Sequence, residues 1–197
     1  NLIVYALPFI KRKKRKVLFS HRPNMETGQK PEELANKIDI PFRRINKLDD
    51  INDKLEVCLV AGAGILPKEF VKKIVTINCH PGLIPSVRGL DAFKWAILDK
   101  KPLGITLHII DKKIDSGKHL KSVKTSISKD DTIEQLAKKH YKLEIDLLAN
   151  FRKHLESPEK EMSNLARDKP RMRMPVNLEK SMLHGFEDYI KTFWNKE

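Results

Sequence analysis

Short apolar runs alternate with stretches of helical spacing along this chain. That is the pattern of an α/β fold built on an open, mostly parallel twisted sheet with helices on both faces. Leu2–Leu7 and Val17–Ser20 read as strands, and Leu55–Ala61 is the continuous apolar run of a buried parallel position. Val75–Cys79 is the next strand and ends in His80-Pro81-Gly82, while Gly104–Ile110 alternates Ile105, Leu107 and Ile109. Helices are predicted over Pro31–Ile38, where Glu32 and Glu33 suit the first turn, and over Pro67–Lys73 and Asp91–Leu98. The longest is Asp130–Leu155, with Leu136, Leu143, Leu147 and Phe151 at core spacing.

Both ends depart from this rhythm. Nine residues separate Leu7 from Val17, fewer than the dozen a parallel crossover normally spans. Either residues preceding the chain are missing or the first segment is the remnant of a helix. After Leu155 the polar stretch Ser157–Lys169 leads to Arg171-Met172-Arg173-Met174-Pro175. Leu178, Met182, Phe186, Ile190 and Phe193 then trace a final amphipathic helix. The chain therefore divides into an α/β domain at 1–156 and a helical C-terminal extension at 157–197. The apolar face of that last helix needs a cover, either its own domain or a second copy in a homodimer.

Among the 197 residues, 39 Lys and Arg oppose 26 Asp and Glu, a net charge of +13. The run Lys11–Lys16 supplies six of these, leaving 13 − 6 = +7 for the rest. A basic balance favours phosphorylated partners, and no nucleic-acid-binding motif accompanies it. No apolar run approaches the ~20 residues of a membrane helix, and no signal-peptide pattern opens the chain, so a soluble protein without a membrane partner is expected. Cys58 and Cys79 lie in strand-like runs without a CxxC spacing, as free thiols of a reducing cytoplasm would. Two cysteines are too few for a structural zinc site, and no metal is expected.

Candidate chemistry concentrates between Ile77 and Gly117. Asn78 and His80 are two apart at a strand's carboxyl end, so they share a face, and that end is where open α/β sheets bind ligands. Pro81, Gly82 and Pro85 force the chain into a loop above the site, and Arg88-Gly89 adds a fixed cation and a flexible joint. After the next strand, Ile114-Asp115-Ser116-Gly117 brings a carboxylate toward the same rim. Such a set suits acyl transfer: Asn78 donates to an oxyanion, His80 donates or takes a proton from an attacking amine, and Asp115 orients and charge-stabilises the imidazole or holds a water that shuttles protons. No Ser or Cys nucleophile with a matching base stands out, which favours direct amine attack. Read singly, each residue also has a structural role open to it: a surface histidine, a turn asparagine, a turn aspartate.

The ordered run Asn78-Cys79-His80-Pro81-Gly82-Leu83-Ile84-Pro85, Arg88-Gly89, Trp95-Ala96-Ile97, Gly104-Ile105-Thr106-Leu107-His108 and Asp115-Ser116-Gly117 resembles the 10-formyltetrahydrofolate-dependent formyltransferases. The resemblance covers Val17 to about Leu155 and implies a Rossmann-like fold. It also implies that Asn78, His80 and Asp115 are the catalytic set. It implies a folate pocket in which Ala61, Gly62, Ala63, Gly64, Ile65 and Leu66 grip the pterin and Ile110 and Asp111 begin the segment closing over it. Pro81, Gly82, Arg88 and Gly89 would border the acceptor, and His108 is read as a strand residue outside the catalytic set. Gly82 stands where the family often has Ser, and Val87 where an aromatic is common. The short N-terminal portion departs from the strand, loop and helix that help relatives hold an acceptor's phosphate.

The acceptor amine follows from length and tail. Methionyl-tRNA formyltransferase carries a C-terminal barrel, for which the 42 residues after Leu155 are too few. Lys169–Trp194, with Arg171 and Arg173, is more like the appendages of sugar-type enzymes. A small nucleotide-linked amino sugar is the first expectation and glycinamide ribonucleotide the alternative. Both are phosphorylated.

Overall fold

The computed structural model describes residues 2–10, 15–22, 30–111, 117–159 and 168–194. They form two compact units: Asn1–Arg15 with Asn24–Leu55, and Lys16–Pro23 with Glu56–Glu197.

In the first unit, β1 (Val4–Ala6) pairs in parallel with β2 (Phe42–Arg44) through α1 (Pro31–Lys37). Pro31 opens the helix at a position where its missing N–H costs nothing. Phe42–Arg44 was not expected as a strand, because three residues ending in two arginines carry no alternation.

The second unit holds a four-stranded sheet, β3 (Val57–Leu59), β4 (Val75–His80), β5 (Gly104–Ile109) and β6 (Lys118–Lys124), in spatial order β3-β4-β5-β6. The fold is α/β with parallel pairing, as expected, but the second sheet is mixed. β3 and β4 are parallel across α2 (Lys68–Lys73), whereas β4–β5 and β5–β6 are antiparallel. β6 escaped sequence reading because Lys118, Lys121 and Lys124 mask its pattern, and because the register slips at Leu107/His108. That slip lets the consecutive His119 and Leu120 both be buried.

Alternation along β4 and β5 sorts their side chains by chemistry. Ile77, Cys79, Ile105 and Leu107 join Leu120 and Leu147 in one core, while Asn78, His80, Thr106 and His108 occupy the other face. Each such buried aliphatic contributes about 1.5–3 kcal/mol. A one-residue slip would exchange the faces, so register is strongly specified.

The single helix expected over Asp130–Leu155 is two, α4 (Ile133–Ala149) and α5 (Phe151–Glu156). Thr132 caps α4 by accepting from the Gln135 N–H, and Gln135 accepts from the Thr132 N–H. Asn150 breaks the run, its side-chain amide donating to the Asp146 carbonyl at 2.8 Å.

Val17–Ser20 is not a strand. Its backbone finds a carboxylate instead of a sheet partner: Leu18 N–H donates to Glu179 Oε2 at 2.7 Å, and Phe19 enters the second core beside Phe93. The single terminal helix expected is two, divided at Gly185: Glu179 lies on α6 (Val176–His184), which is followed by α7 (Phe186–Phe193). Its other oxygen pairs with Lys94 of α3 (Ala92–Leu98), both side chains being almost wholly buried. Met174, Met182, Tyr189 and Ile190 fill the same core as Phe93, Ala96 and Leu136. The apolar face of the terminal helices is thus covered by their own unit.

Removing one partner of a buried ion pair strands the other charge. Glu179→Ala is expected to lower stability by about 3–5 kcal/mol, read as a fall in the urea midpoint. Lys94→Met combined with Glu179→Leu should lose much less.

Candidate active site

Asn78 and His80 stand on the polar face at the end of β4, opposite His108 and Thr106 respectively. Asn78 is half-buried, and its amide donates to His108 Nε2 at 3.4 Å. An amide carries two N–H groups, so the second remains to be directed at an oxyanion. His108, read from sequence as outside the set, is therefore the neighbour that orients Asn78. The antiparallel register that brings it there was not legible in a single strand.

His80 is buried, and its Nε2 lies 3.0 Å from the Val87 carbonyl. A carbonyl only accepts, so Nε2 carries a proton and donates it to Val87. The loop between these residues is tied peptide by peptide. Gly82 N–H donates to His80 O at 2.8 Å, and Pro81 O accepts from His140 Nε2 at 3.3 Å. Thr106 donates to Gly82 O at 2.8 Å and accepts from Ile84 N–H at 3.0 Å. Leu83 O accepts from the N–H groups of Ser86 and Val87, which closes the turn. Thr106 thus acts as a two-way clamp on the loop, a role its place in an apolar strand only hinted at.

Gly82 is buried inside this loop. A Cβ there would lie 2.6 Å from Val87 O and 2.9 Å from His80 Nε2. Its missing side chain is what lets the imidazole reach the carbonyl. Cys79, between Asn78 and His80, faces the apolar core. Burial pushes its thiol far above the usual range, so it stays protonated and inert.

Ala61–Leu66 follows β3. Leu59 is paired with Ile77, and Val60 N–H donates to Ile77 O at 2.9 Å, so this loop leaves the sheet beside Asn78. Ala61 through Ile65 are exposed, and Ile65 is 88% accessible, an apolar side chain held at the loop tip. Gly62 adopts φ +83°, and a Cβ on Gly62 or Gly64 would meet nothing within 4 Å. The backbone here borders open space, which suits the edge-on approach of a flat heterocycle. Ile110 and exposed Asp111 leave β5 lower down, Ile110 N–H donating to Thr76 O at 2.8 Å. Asp115 lies outside the described residues.

Arg88 and Gly89 belong to a different contact. Arg88 is buried and donates to the Asp168 carbonyl at 3.1 Å. Gly89 has φ +90° and packs so tightly on Arg171 that a Cβ would fall 2.2 Å from its carbonyl oxygen. Arg171 exchanges backbone bonds with Arg88 and Leu90, pairs with Asp99 at 2.8 Å and lies over the Trp95 ring. Arg173 pairs with Asp91, whose carboxylate also accepts from Met174 N–H. Both arginines anchor the C-terminal segment within its own unit.

A family model described as formyl transferase matches residues 22–151. The methionyl-tRNA formyltransferase of Caldanaerobacter subterraneus subsp. tengcongensis is 32% identical over 139 residues, which are 66% of this chain and 43% of that protein. The chain spans less than half the length of curated relatives it matches. Among solved structures, a sugar N-formyltransferase from Shewanella sp FDAARGOS_354 shares the fold with a TM-score of 0.57 at 24% identity, covering 77% of this chain and 70% of that one. The formyltransferase PseJ from Anoxybacillus kamchatkensis, solved with UDP-4,6-dideoxy-4-formamido-L-AltNAc and tetrahydrofolate, also gives 0.57. It does so at 16% identity, covering 83% and 93% of the two chains.

Two outcomes follow from this geometry. Gly82→Ala should force the Val87 peptide away, at a cost of about 1–3 kcal/mol, and the ring 15N spectrum should show the His80 Nε2–H bond lost. Burial also lowers the pKa of His140 to about 3 and that of His21 to about 4. Below pH ~6.5 the unfolded chain then binds protons that the folded one refuses. Stability should therefore fall from that pH downward and level off near pH 3, and His140→Gln should flatten the slope in acid titrations followed by circular dichroism.

Proposed function

The chain belongs to the formyl transferase family, and we propose that it moves a formyl group from 10-formyltetrahydrofolate to a primary amine of a phosphorylated acceptor. The observation that carries this reading is the pairing of Asn78 and His80 on one face at the end of β4, beside the mouth of the Ala61–Leu66 loop.

The steps follow from these side chains. The exposed backbone of Gly62 and Gly64, with Ile65, holds the pterin, and Ile110 and Asp111 begin the segment beside it. The acceptor's nitrogen attacks the formyl carbon, and charge moves onto the formyl oxygen. Asn78 directs its remaining amide N–H at that oxygen, an interaction worth about 3–4 kcal/mol of barrier. His80, with its proton on Nε2 toward Val87, offers Nδ1 as the base that takes the proton from the attacking amine. It returns that proton to the departing nitrogen as the carbon–nitrogen bond breaks. Asp115 balances the imidazolium charge in this scheme, a role that rests on the family motif.

For the acceptor we favour a nucleotide-linked amino sugar. Support comes from the two sugar formyltransferases of the same fold and from the C-terminal segment built onto α3. A second reading, methionyl-tRNA, is favoured by the 32% identity to a methionyl-tRNA formyltransferase. Glycinamide ribonucleotide completes the set of phosphorylated amines.

Incubation with 10-formyltetrahydrofolate and a panel of these acceptors, scored by a mass gain of one formyl group, tests the reading directly. A gain on an aminosugar nucleotide supports it, and no gain on any acceptor overturns it. Asn78→Ala, His80→Ala and Asp115→Asn should each reduce transfer about a hundredfold or more with the fold intact. Turnover at the parent rate would remove that residue from the scheme.

A further inference from the structure

α4 reaches the catalytic loop through one side chain. His140 is buried, with Nε2 3.3 Å from the Pro81 carbonyl and Nδ1 2.7 Å from Thr125 Oγ1. The carbonyl can only accept, so Nε2–H donates to it, and Nδ1 then accepts from the Thr125 hydroxyl. Each end of this relay is fixed. Thr125 is buried and held by its N–H to Leu103 O at 3.0 Å, and Phe93 packs tilted against the His140 ring at 5.3 Å. Burial keeps the ring neutral, the state in which one nitrogen donates and the other accepts.

We propose that His140 is a positioning residue for His80, a strut that sets the Pro81 peptide and through it the direction of the imidazole. The inference rests on the reaction proposed above. Pro81 is the residue directly after His80. Its carbonyl is bound by α4, whereas the carbonyls of Gly82 and Leu83 are bound by β5 and by the loop itself. Turning the Pro81 peptide rotates the backbone at His80, and with it the ring that meets Val87. The strut is also tautomer-specific. The Pro81 carbonyl demands the proton on Nε2, and the Thr125 hydroxyl, by donating to Nδ1, holds the ring in the orientation that delivers it.

Three variants separate positioning from packing. His140→Leu fills the space without a donor, His140→Gln restores an N–H toward Pro81, and Thr125→Val leaves the imidazole but removes the hydrogen bond that holds its far side. Each is measured for kcat and KM at a temperature where denaturation curves show it fully folded, with ring 15N spectra of His80 recorded without substrate. His140→Leu should lower kcat about tenfold or more with the KM for 10-formyltetrahydrofolate unchanged, and should shift the His80 resonances. Thr125→Val should move both readouts in the same direction, and His140→Gln should recover most of kcat. Unshifted His80 resonances, a kcat within twofold of the parent in His140→Leu, or a Gln variant as slow as the Leu variant would each overturn the strut. A parent protein that formylates no acceptor while the His80 resonances still respond to His140→Leu would sink the proposed reaction and leave the strut standing.

Discussion

The His80 imidazole meets the Val87 carbonyl because most peptides of the loop between them are held. Thr106 from β5, His140 from α4 and the loop's own turn each take a share of its backbone groups. A buried loop carries donors and acceptors that water cannot reach, and each left unpaired would cost about 1–3 kcal/mol. Satisfying them one by one removes the freedom to rearrange. The imidazole thereby acquires a single direction before any ligand arrives, which is the preorganisation that acid–base chemistry requires.

The outer side of the same loop is bound by the C-terminal segment. Asp168 N–H donates to Pro85 O at 3.1 Å, and Lys101 bridges Ser86 O and the Asp168 carboxylate. Trp95 donates its indole N–H to Met172 O at 2.8 Å, and Tyr189 donates its hydroxyl to Lys101 O at 2.8 Å. Residues far apart in sequence thus build one wall around residues 80–101. Of its salt bridges, Arg171–Asp99 and Lys101–Asp168 lie partly in solvent and are individually weak, whereas Asp91 is buried beneath Arg173. The backbone pairing of Gly89 and Leu90 with Arg171 and the methionines beneath supply the adhesion.

Much of this architecture was legible in the sequence where one rule governed a segment. The boundaries of α1, α2, α3, β4 and β5 follow from Pro31, Pro67, Asp91 and the alternation of Ile77 and Cys79 with Asn78 and His80. Reading failed where tertiary structure overrode local pattern. Lysines hid β6, a register slip broke its period, and Val17–Ser20 gave its backbone to Glu179 rather than to a sheet. At the candidate site, the shared face of Asn78 and His80 follows from their spacing. The parts played by Thr106, His108 and His140 do not, because each acts on a residue brought near by strand register or helix packing, and neither is written in its own neighbourhood. Arg88 and Gly89, read from sequence as bordering an acceptor, also hold the C-terminal segment, through contacts with Asp168 and Arg171 that their own neighbourhood does not announce.

The Lys94–Glu179 pair bears on how the protein is made. On the ribosome, α3 emerges well before α6, so a nascent chain holds an ammonium group with no counterion while Phe93 and Ala96 are already seeking an interior. Closing that interior early would bury a bare charge. A closed interior around α3 therefore depends on a residue from the far end of the sequence: Glu179 neutralises Lys94 and at the same time accepts from the Leu18 N–H.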